Sequence, residues 1–172
     1  MGAMDEMDRR LSRRLMRDHP VEAARLLERF EVGEVVRELE DLEPAKAAAV
    51  LSRLEPHIAS ACLAAWPDAS RPDLLSALDA SQAARMIRPL TAAQRTTFLE
   101  QCPRRVARPI MRLLSYPDAT AGALMDPDPP ALPEDLTAEA AIRFLGSGSS
   151  RTHGRAYTVT REGTLSGVFD VD

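Results

Sequence analysis

The sequence predicts a mostly α-helical protein, in which a right-handed superhelical array of short helices is followed by a small, partial α/β unit. Three observations predict this fold class. Apolar residues recur every twelve positions through residues 19–114, helix-start signals stand near the block boundaries, and the composition changes after Ser115. Apolar residues make up 45% of the 172 positions and aromatic residues only 4%, so we expect a core of aliphatic side chains.

The repeat becomes visible when the chain is cut into eight blocks of twelve residues from His19. The last position is apolar in every block, as Phe30, Leu42, Leu54, Trp66, Leu78, Leu90, Cys102 and Leu114. The position three before it is apolar too, as Leu27, Leu39, Leu51, Leu63, Leu75, Ile87, Leu99 and Met111. These columns lie on one face of an α-helix. Each block therefore predicts a short helix that buries this face against neighbouring helices.

Two further columns complete the same helical face. The position four before the block end is apolar in all blocks except the second, where it is Glu38. The position seven before the end holds Ala23, Val35, Ala47, Ala59, Arg71, Ala83, Arg95 and Ala107. We call this the small-residue column, because Ala at this position allows neighbouring helices to approach closely.

Helix-start signals support the block boundaries. Pro20, Pro44 and Pro56 stand where a first helical residue tolerates the missing N–H. The segments 79–82 and 91–94 have the spacing of capping boxes, which begin with Asp and Thr respectively. Each block is therefore expected to begin a new helix after a tight turn.

Three prolines predict irregular places in the array. Pro72 predicts a helix that starts late, with Ser70 as its cap, and Pro89 predicts an early helix end. Pro109 predicts a kink or a split in the last helix. Before the repeat, residues 1–18 are predicted to contain one more helix, from Asp5 to Asp18; its apolar face is formed by Leu11, Leu15 and Met16.

After residues 19–116, which hold the helical array, the segment 117–130 is predicted to be a linker and 131–172 a small unit. In this unit a short extended piece at 131–132 precedes a helix capped by Thr137. The inward face of that helix is predicted to comprise Ala140, Ala141, Phe144 and Leu145. Alternating apolar and polar residues at 156–160 and 164–169, around a turn at 161–163, predict a hairpin.

Several function classes find no support in the sequence. The net charge of −4 gives no general attraction to nucleic acid. No stretch reaches about 18 consecutive apolar residues, so no membrane span is predicted, and the charged segment 1–10 does not resemble a signal peptide. No catalytic constellation is recognisable, so we do not expect an enzyme. Cys62 and Cys102 are read as buried apolar residues of a reduced protein, and His19, His57 and His153 as unpaired, with the first two at the surface.

The order of the motifs resembles a known family. The array, the junction Tyr116-Pro-Asp-Ala-Thr-Ala-Gly122 with Ala123-Leu-Met125, and the start of a CBS-like segment from Ala131 follow each other. This order resembles the cytosolic part of MgtE-type magnesium transporters, in which an N-terminal superhelical domain leads into CBS domains. The resemblance implies a cytoplasmic regulatory region of an inner-membrane transporter, either as part of a longer protein or as a relative without the pore.

In that family, the resemblance implies, acidic residues of the two domains approach each other, and Mg²⁺ between them closes the assembly and the pore. Mg²⁺ is therefore the cofactor that the resemblance implies. The positions aligned with the family's acids, however, read Ala49, Ser81, Gln82 and Arg85 in this chain. A cation at Arg85 opposes metal binding, so the family's way of holding Mg²⁺ is not expected here.

Carboxylates elsewhere are candidate metal ligands, with a solvated turn or a frayed chain end as the alternative interpretation; they are Asp126, Asp128, Asp170 and Asp172. The segment Gly167-Val-Phe-Asp170 departs from the nucleotide-binding pattern of CBS domains, because an Asp replaces the expected hydroxyl residue. No nucleotide-binding residues are therefore assigned.

Three functions stay open from the sequence. The first is conformational closure between the helical domain and the CBS-like unit, regulating the remainder of a membrane transporter. The second is a protein-interaction scaffold without a metal response. The third is a CBS-type sensor of adenine nucleotides. A homodimer through the CBS-like unit is expected for its exposed sheet edge.

Overall fold

The computed structural model describes residues 13–146 and 154–171 and divides the chain into two compact units, Met1–Met125 and Asp126–Asp172. In unit 1, α1 (residues 13–18), a short helix, precedes the repeat. The other helices of unit 1 are α2 (Pro20–Leu27), α3 (Val32–Glu40), α4 (Pro44–Leu51), α5 (Pro56–Ala65), α6 (Arg71–Ala77), α7 (Ala80–Ile87), α8 (Ala92–Glu100), α9 (Arg104–Leu114) and α10 (Ala121–Leu124).

The helix starts follow the twelve-residue period with one exception. From α3 to α9, each helix except α6 begins twelve or twenty-four residues after the start of an earlier helix of the repeat. Helix α6 begins at Arg71 rather than at residue 68, because Pro72 fits only within a first helical turn. The predicted late start with Ser70 at the N-cap position is therefore confirmed.

The local signals at the other helix ends behave largely as expected. Both capping boxes form, with Asp79 bonded to the backbone N–H of Gln82 and Thr91 to that of Gln94. Helix α7 ends at Ile87, just before Pro89. The predicted split at Pro109 was wrong, because α9 runs unbroken across that residue.

The repeat face forms the core of unit 1. Its fully buried side chains include Val35, Leu39, Val50, Leu51, Cys62, Leu63, Leu74, Leu75, Ile87, Ile110 and Leu113. The first and last blocks depart from this pattern, because Leu26 is 47%, Phe30 58% and Met111 55% exposed. The terminal blocks of a repeat array have a neighbour on one side only, so part of their face stays uncovered.

Helices two apart along the chain pack against each other, as α2 with α4, α3 with α5, α4 with α6, α5 with α7, and α7 with α9. The pair α6 and α8 lacks a comparable contact. These two helices carry Arg71 and Arg95 in the small-residue column, where the others have Ala or Val. The larger side chains hold α6 and α8 apart, whereas small residues elsewhere allow close packing.

Unit 2 contains β1 (Ala131–Pro133), α11 (Ala138–Gly146), β2 (Arg155–Val159) and β3 (Leu165–Asp170). The sheet order is β1-β2-β3, and β2 pairs antiparallel with β3 around the predicted turn. Strand β1 pairs in parallel with β2, so that Leu132 lies beside Thr158; Leu132 and Ala156 are buried.

Helix α11 corrects one sequence prediction. Thr137 caps the helix through the N–H of Ala140, as expected. Phe144, which was predicted to face inward, is 42% exposed, and α11 has no buried residue. A helix and three short strands offer too little surface to cover both faces of α11.

Candidate functional site

The segment that links the repeat to unit 2 is held on the end of the helical array by Arg88. The guanidinium of Arg88, the C-cap residue that follows α7, donates to the carbonyl oxygens of Leu113 at 2.8 Å and Tyr116 at 3.0 Å. It also bonds the carboxylate of Asp118 at 2.7 Å. One side chain thus satisfies two carbonyls at the C-terminal end of α9 and fixes the start of the junction.

Sequence reasoning missed Arg88, and the repeat contains no signal that could have found it. The same column, two positions before the block end, holds Glu28, Glu40, Ser52, Ala64, Ser76, Arg88, Glu100 and Arg112. The column holds acidic, basic, hydroxyl and alanine side chains, and none of its members is fully buried, so its composition does not mark any one of them. Arg88 has this role because the chain, at the end of α9, passes close to the end of α7 again.

The rest of the junction is closely packed around Tyr116. A Cβ added to Gly122 would overlap the Cδ1 atom of the Tyr116 ring, so only glycine fits there. Thr120 caps α10 by accepting a bond from the N–H of Ala123. Ala119 adopts a φ of 60°, a left-handed conformation that L-residues rarely adopt. The junction motif therefore forms a specific turn.

The structure places three of the candidate metal ligands, Asp126, Asp128 and Asp170, at exposed positions. Asp126 is exposed, and its Oδ1 accepts a bond from the N–H of Asp128 at 3.0 Å, as in a local turn. Asp170 ends β3 and pairs with Arg155 of β2 at 3.3 Å. Asp172 lies outside the described residues. Within the described part of the chain, no group of three or more His, Cys, Asp or Glu side chains is arranged to hold a metal ion.

The positions aligned with the family's acids also offer no carboxylate. Ala49, Ser81 and Gln82 are half-buried, and Arg85 is exposed on α7. Gln82 is engaged in the capping box of α7, and the Ser81 hydroxyl donates to the Asp79 carboxylate at 2.8 Å. The described residues therefore do not fit a preformed magnesium site of several carboxylates.

Among the described residues, the two cysteines and the two histidines do not form a site either. Cys62 is fully buried, and burial raises the pKa of its thiol to about 11. Burial also raises the pKa of the Cys102 thiol, although nearby Arg71 opposes this effect. His19 and His57 are exposed, and His153 lies outside the described residues. Both thiols are thus poor nucleophiles and poor metal ligands.

Comparison with known proteins gives the family. The family model for the MgtE intracellular N domain matches residues 18–119, which is more than half of the chain. The chain belongs to this family. Its matched region covers α2 to α9 and the start of the junction, so it contains the whole twelve-residue repeat. No curated protein matches the sequence.

Two crystal structures extend the likeness of this MgtE-family chain beyond the N domain. One is the cytosolic domain of the Mg²⁺ channel MgtE in complex with ATP, at 27% identity and a TM-score of 0.83, over 98% of this chain and 71% of that chain. The other is the soluble part of a magnesium transporter, at 20% identity and a TM-score of 0.60, over 96% and 71%. The mostly helical fold with a small sheet is confirmed by the first, and the second supports the fold alone.

None of the described helices is both long and apolar enough to cross a membrane. The prediction that the chain is not an enzyme stays a prediction. The role of the candidate carboxylates as metal ligands also stays a prediction. The predicted division at residues 117–130 also stays a prediction, although α10 occupies part of that segment and packs against α9.

Proposed function

We propose that this chain is a cytosolic regulatory region of a magnesium transporter, which acts by conformational closure between its helical domain and its CBS-like unit rather than by catalysis. The observation that carries the proposal is the match over 98% of the chain to the cytosolic domain of an Mg²⁺ channel. The partner is the remainder of the transporter.

The junction supports a conformational role. Arg88, Tyr116 and Gly122 fix the first part of the linking segment on unit 1. A rigid link transmits a displacement of one domain to the next, whereas a flexible linker absorbs it. The closely packed junction therefore fixes where the chain leaves the helical domain, and a movement of that domain carries this point with it.

The proposal includes the expectation that Mg²⁺ binds this chain, but weakly. The neighbour at 27% identity is part of an Mg²⁺ channel, but the described residues of this chain do not gather carboxylates into a site. Arg85 adds a positive charge where the resemblance implies an acid. We propose Asp126, Asp128, Asp170 and Asp172 only as candidate oxygen ligands, and we expect weak binding because Asp126, Asp128 and Asp170 are exposed and Asp170 is paired with Arg155.

Thermal stability tests this proposal, because a ligand that binds only the folded state raises the melting temperature. The chain is heated with millimolar MgCl₂, with EDTA, and with NaCl of equal ionic strength. An upward shift that requires Mg²⁺ and disappears in Asp126→Asn/Asp128→Asn supports the metal response. The matched control, Glu40→Gln, removes an exposed carboxylate from α3 and should retain the shift.

The same measurement, repeated with ATP in place of MgCl₂, separates the two alternatives. A melting temperature that is equal in Mg²⁺ and EDTA would contradict metal sensing by this chain and favour a protein-interaction scaffold. A shift with ATP alone would favour the adenine nucleotide sensor. That alternative draws on the ATP complex of the neighbour, but Asp170 stands where the CBS pattern has a hydroxyl and is paired with Arg155.

A further inference from the structure

A basic groove between α8 and α9 stands apart from the junction and from the candidate carboxylates. The volume of this groove is about 550 Å³. Its floor is apolar, formed by Leu99, Ala107 and the exposed side chain of Met111. Arg95 on α8 and Arg108 on α9 stand on either side of it.

The arginines of α9 strengthen the positive charge beside this groove. Arg104, Arg105, Arg108 and Arg112 are all exposed, and the helix contains no acidic residue. None of them forms an ion pair with a carboxylate among residues 13–146 and 154–171. Their spacing places all four, with Met111, within one side of the helix. The chain as a whole has a net charge of −4, so this concentration of positive charge on α9 is local.

The groove has a cause in the repeat itself. Arg71 and Arg95 occupy the small-residue column, and α6 and α8 do not pack as the other helix pairs do. Arg95 is only half-buried, and its Nε donates to the carbonyl oxygen of Leu90 at 2.9 Å. Phe98 is the one residue of α8 that is buried, and Leu99 and Cys102 line an open groove beside α9.

We infer that this groove binds an acidic amphipathic helix of a partner protein. The apolar floor fits the apolar stripe of such a helix, and the flanking arginines fit its carboxylates. Glu100 also lines the groove, so its charged lining comprises three cations, Arg95, Arg104 and Arg108, and one anion. The balance favours an acidic occupant and disfavours a basic one. A concave, partly apolar surface suits a helix better than the plane of a membrane.

A synthetic helical peptide tests the inference. Leu recurs in it at i, i+3, i+4 and i+7, and Glu and Ala fill the other positions. Binding to the full chain is measured by fluorescence anisotropy at low salt. We expect saturable binding that weakens as NaCl is added, because exposed charge pairs are screened. A matched peptide with Lys in place of Glu should not bind.

Two double variants locate the binding surface. Arg104→Glu/Arg108→Glu should weaken binding at least about tenfold, because attraction becomes repulsion on one side of the groove. Arg25→Glu/Arg29→Glu makes the same charge change on exposed positions of α2 and its C-terminal turn, and it should leave binding unchanged. Met111→Gln should weaken binding without a charge change, since it removes an apolar contact. Circular dichroism verifies that each variant is folded.

Three results would overturn the inference. They are the absence of saturable peptide binding, equal binding of the Lys peptide, and equal weakening by the α2 and α9 double variants. Vesicles of phosphatidylglycerol are tested in parallel. Vesicle binding that is lost in Arg104→Glu/Arg108→Glu, without peptide binding, would assign the arginines to a lipid surface instead.

Discussion

The guanidinium of Arg71 lies over the ring of Phe98, 4.0 Å from its centroid, and so joins α6 to α8 across the gap between these helices. Arg71 is 3% exposed and donates to the carbonyl oxygens of Leu63 and Trp66. It also bonds Asp68 and the Gln101 side chain. Arg71 thus stands where most blocks of the repeat have alanine or valine. Its large side chain separates α6 from α8 and also fills the space between them.

Removing the Arg71 side chain should destabilise the chain strongly. Arg71→Ala leaves two carbonyl oxygens without this donor and removes the contact with Phe98, at a cost of about 2–4 kcal/mol. Urea denaturation followed by circular dichroism measures this loss. Arg112→Ala removes an exposed arginine of α9 and should change the free energy of unfolding by less than about 0.5 kcal/mol. Equal effects of the two substitutions would contradict the bridging role of Arg71.

Replacing Arg88 should loosen the junction before it unfolds the repeat. Arg88→Met retains the length of the side chain but loses the bonds to Leu113, Tyr116 and Asp118. We expect faster amide exchange at residues 116–125 and unchanged exchange in α4 and α5, because local opening costs less than global unfolding. Arg85→Met on α7, an exposed residue, is the control. Unchanged exchange at the junction in Arg88→Met would show that Arg88 does not anchor it.

Alanine substitutions at Gly122 and Gly33 should change the stability of the chain in opposite directions. Gly122→Ala places a methyl group against the Tyr116 ring and should cost about 1–3 kcal/mol. Gly33 lies in α3 with open space around it, so Gly33→Ala should stabilise by about 0.5–1 kcal/mol. Tyr116→Ala should reduce the cost of Gly122→Ala, because it removes the clash. Strict additivity in the double variant would rule out this explanation.

The Cys62 thiol should make stability fall in alkaline solution. Burial raises the pKa of this thiol to about 11 in the folded chain, whereas an exposed cysteine has a pKa of 9.0. Above pH 9 the unfolded chain loses the proton while the folded chain keeps it, so stability decreases as the pH rises toward 11. The shift corresponds to about 2–3 kcal/mol.

Urea denaturation of the native chain and of Cys62→Ala between pH 8 and about 10.5 checks this effect. Cys62→Ala should be less stable at pH 8, because it leaves a cavity, but its stability should depend less on pH. Equal pH dependence in the two proteins would exclude Cys62 as the cause. The native thiol should also react slowly with maleimide at neutral pH until the chain is unfolded.

Unit 2 should mediate a homodimer. Ile142 is 71%, Leu165 59% and Val168 53% exposed, so apolar side chains of α11 and β3 are available for contact with a second copy. Sedimentation equilibrium should show a concentration-dependent dimer that Ile142→Glu/Val168→Glu dissociates. Phe30→Glu changes an exposed apolar residue of unit 1 and should leave the dimer intact. A monomer at all concentrations, or equal dissociation by Phe30→Glu, would contradict this interface.

The helical array could be read from the sequence because its information is local and repeated. Apolar columns determine the buried face of each helix, and Pro20, Pro44 and Pro56 each occupy the first position of a helix. The delayed start of α6 also followed from Pro72. The split expected at Pro109 failed, because packing of Ile110 and Leu113 in the core holds α9 together despite the missing backbone bond.

Whether an apolar side chain at an end of the array or in unit 2 is buried depends on the neighbouring elements, which the periodicity of the sequence does not show. Phe30 and Met111 satisfy the same apolar columns as buried residues, yet they are exposed because the array ends beside them. Phe144 has the helical spacing of an inward residue, but no layer covers its side of α11 completely. Exposure is decided by the elements that pack against a face, and these lie far away in the sequence.

By itself, the sequence determined the twelve-residue helical array, the hairpin and the junction motif, because each is encoded by residues within one turn or one repeat. Only the tertiary structure showed that Arg88 holds the junction on α7, that β1 pairs in parallel with β2, and that Arg71 spans α6 and α8. The physical reason is the same in all three cases. Hydrogen bonds and ring contacts between distant segments depend on the path of the chain, which apolar periodicity leaves unspecified.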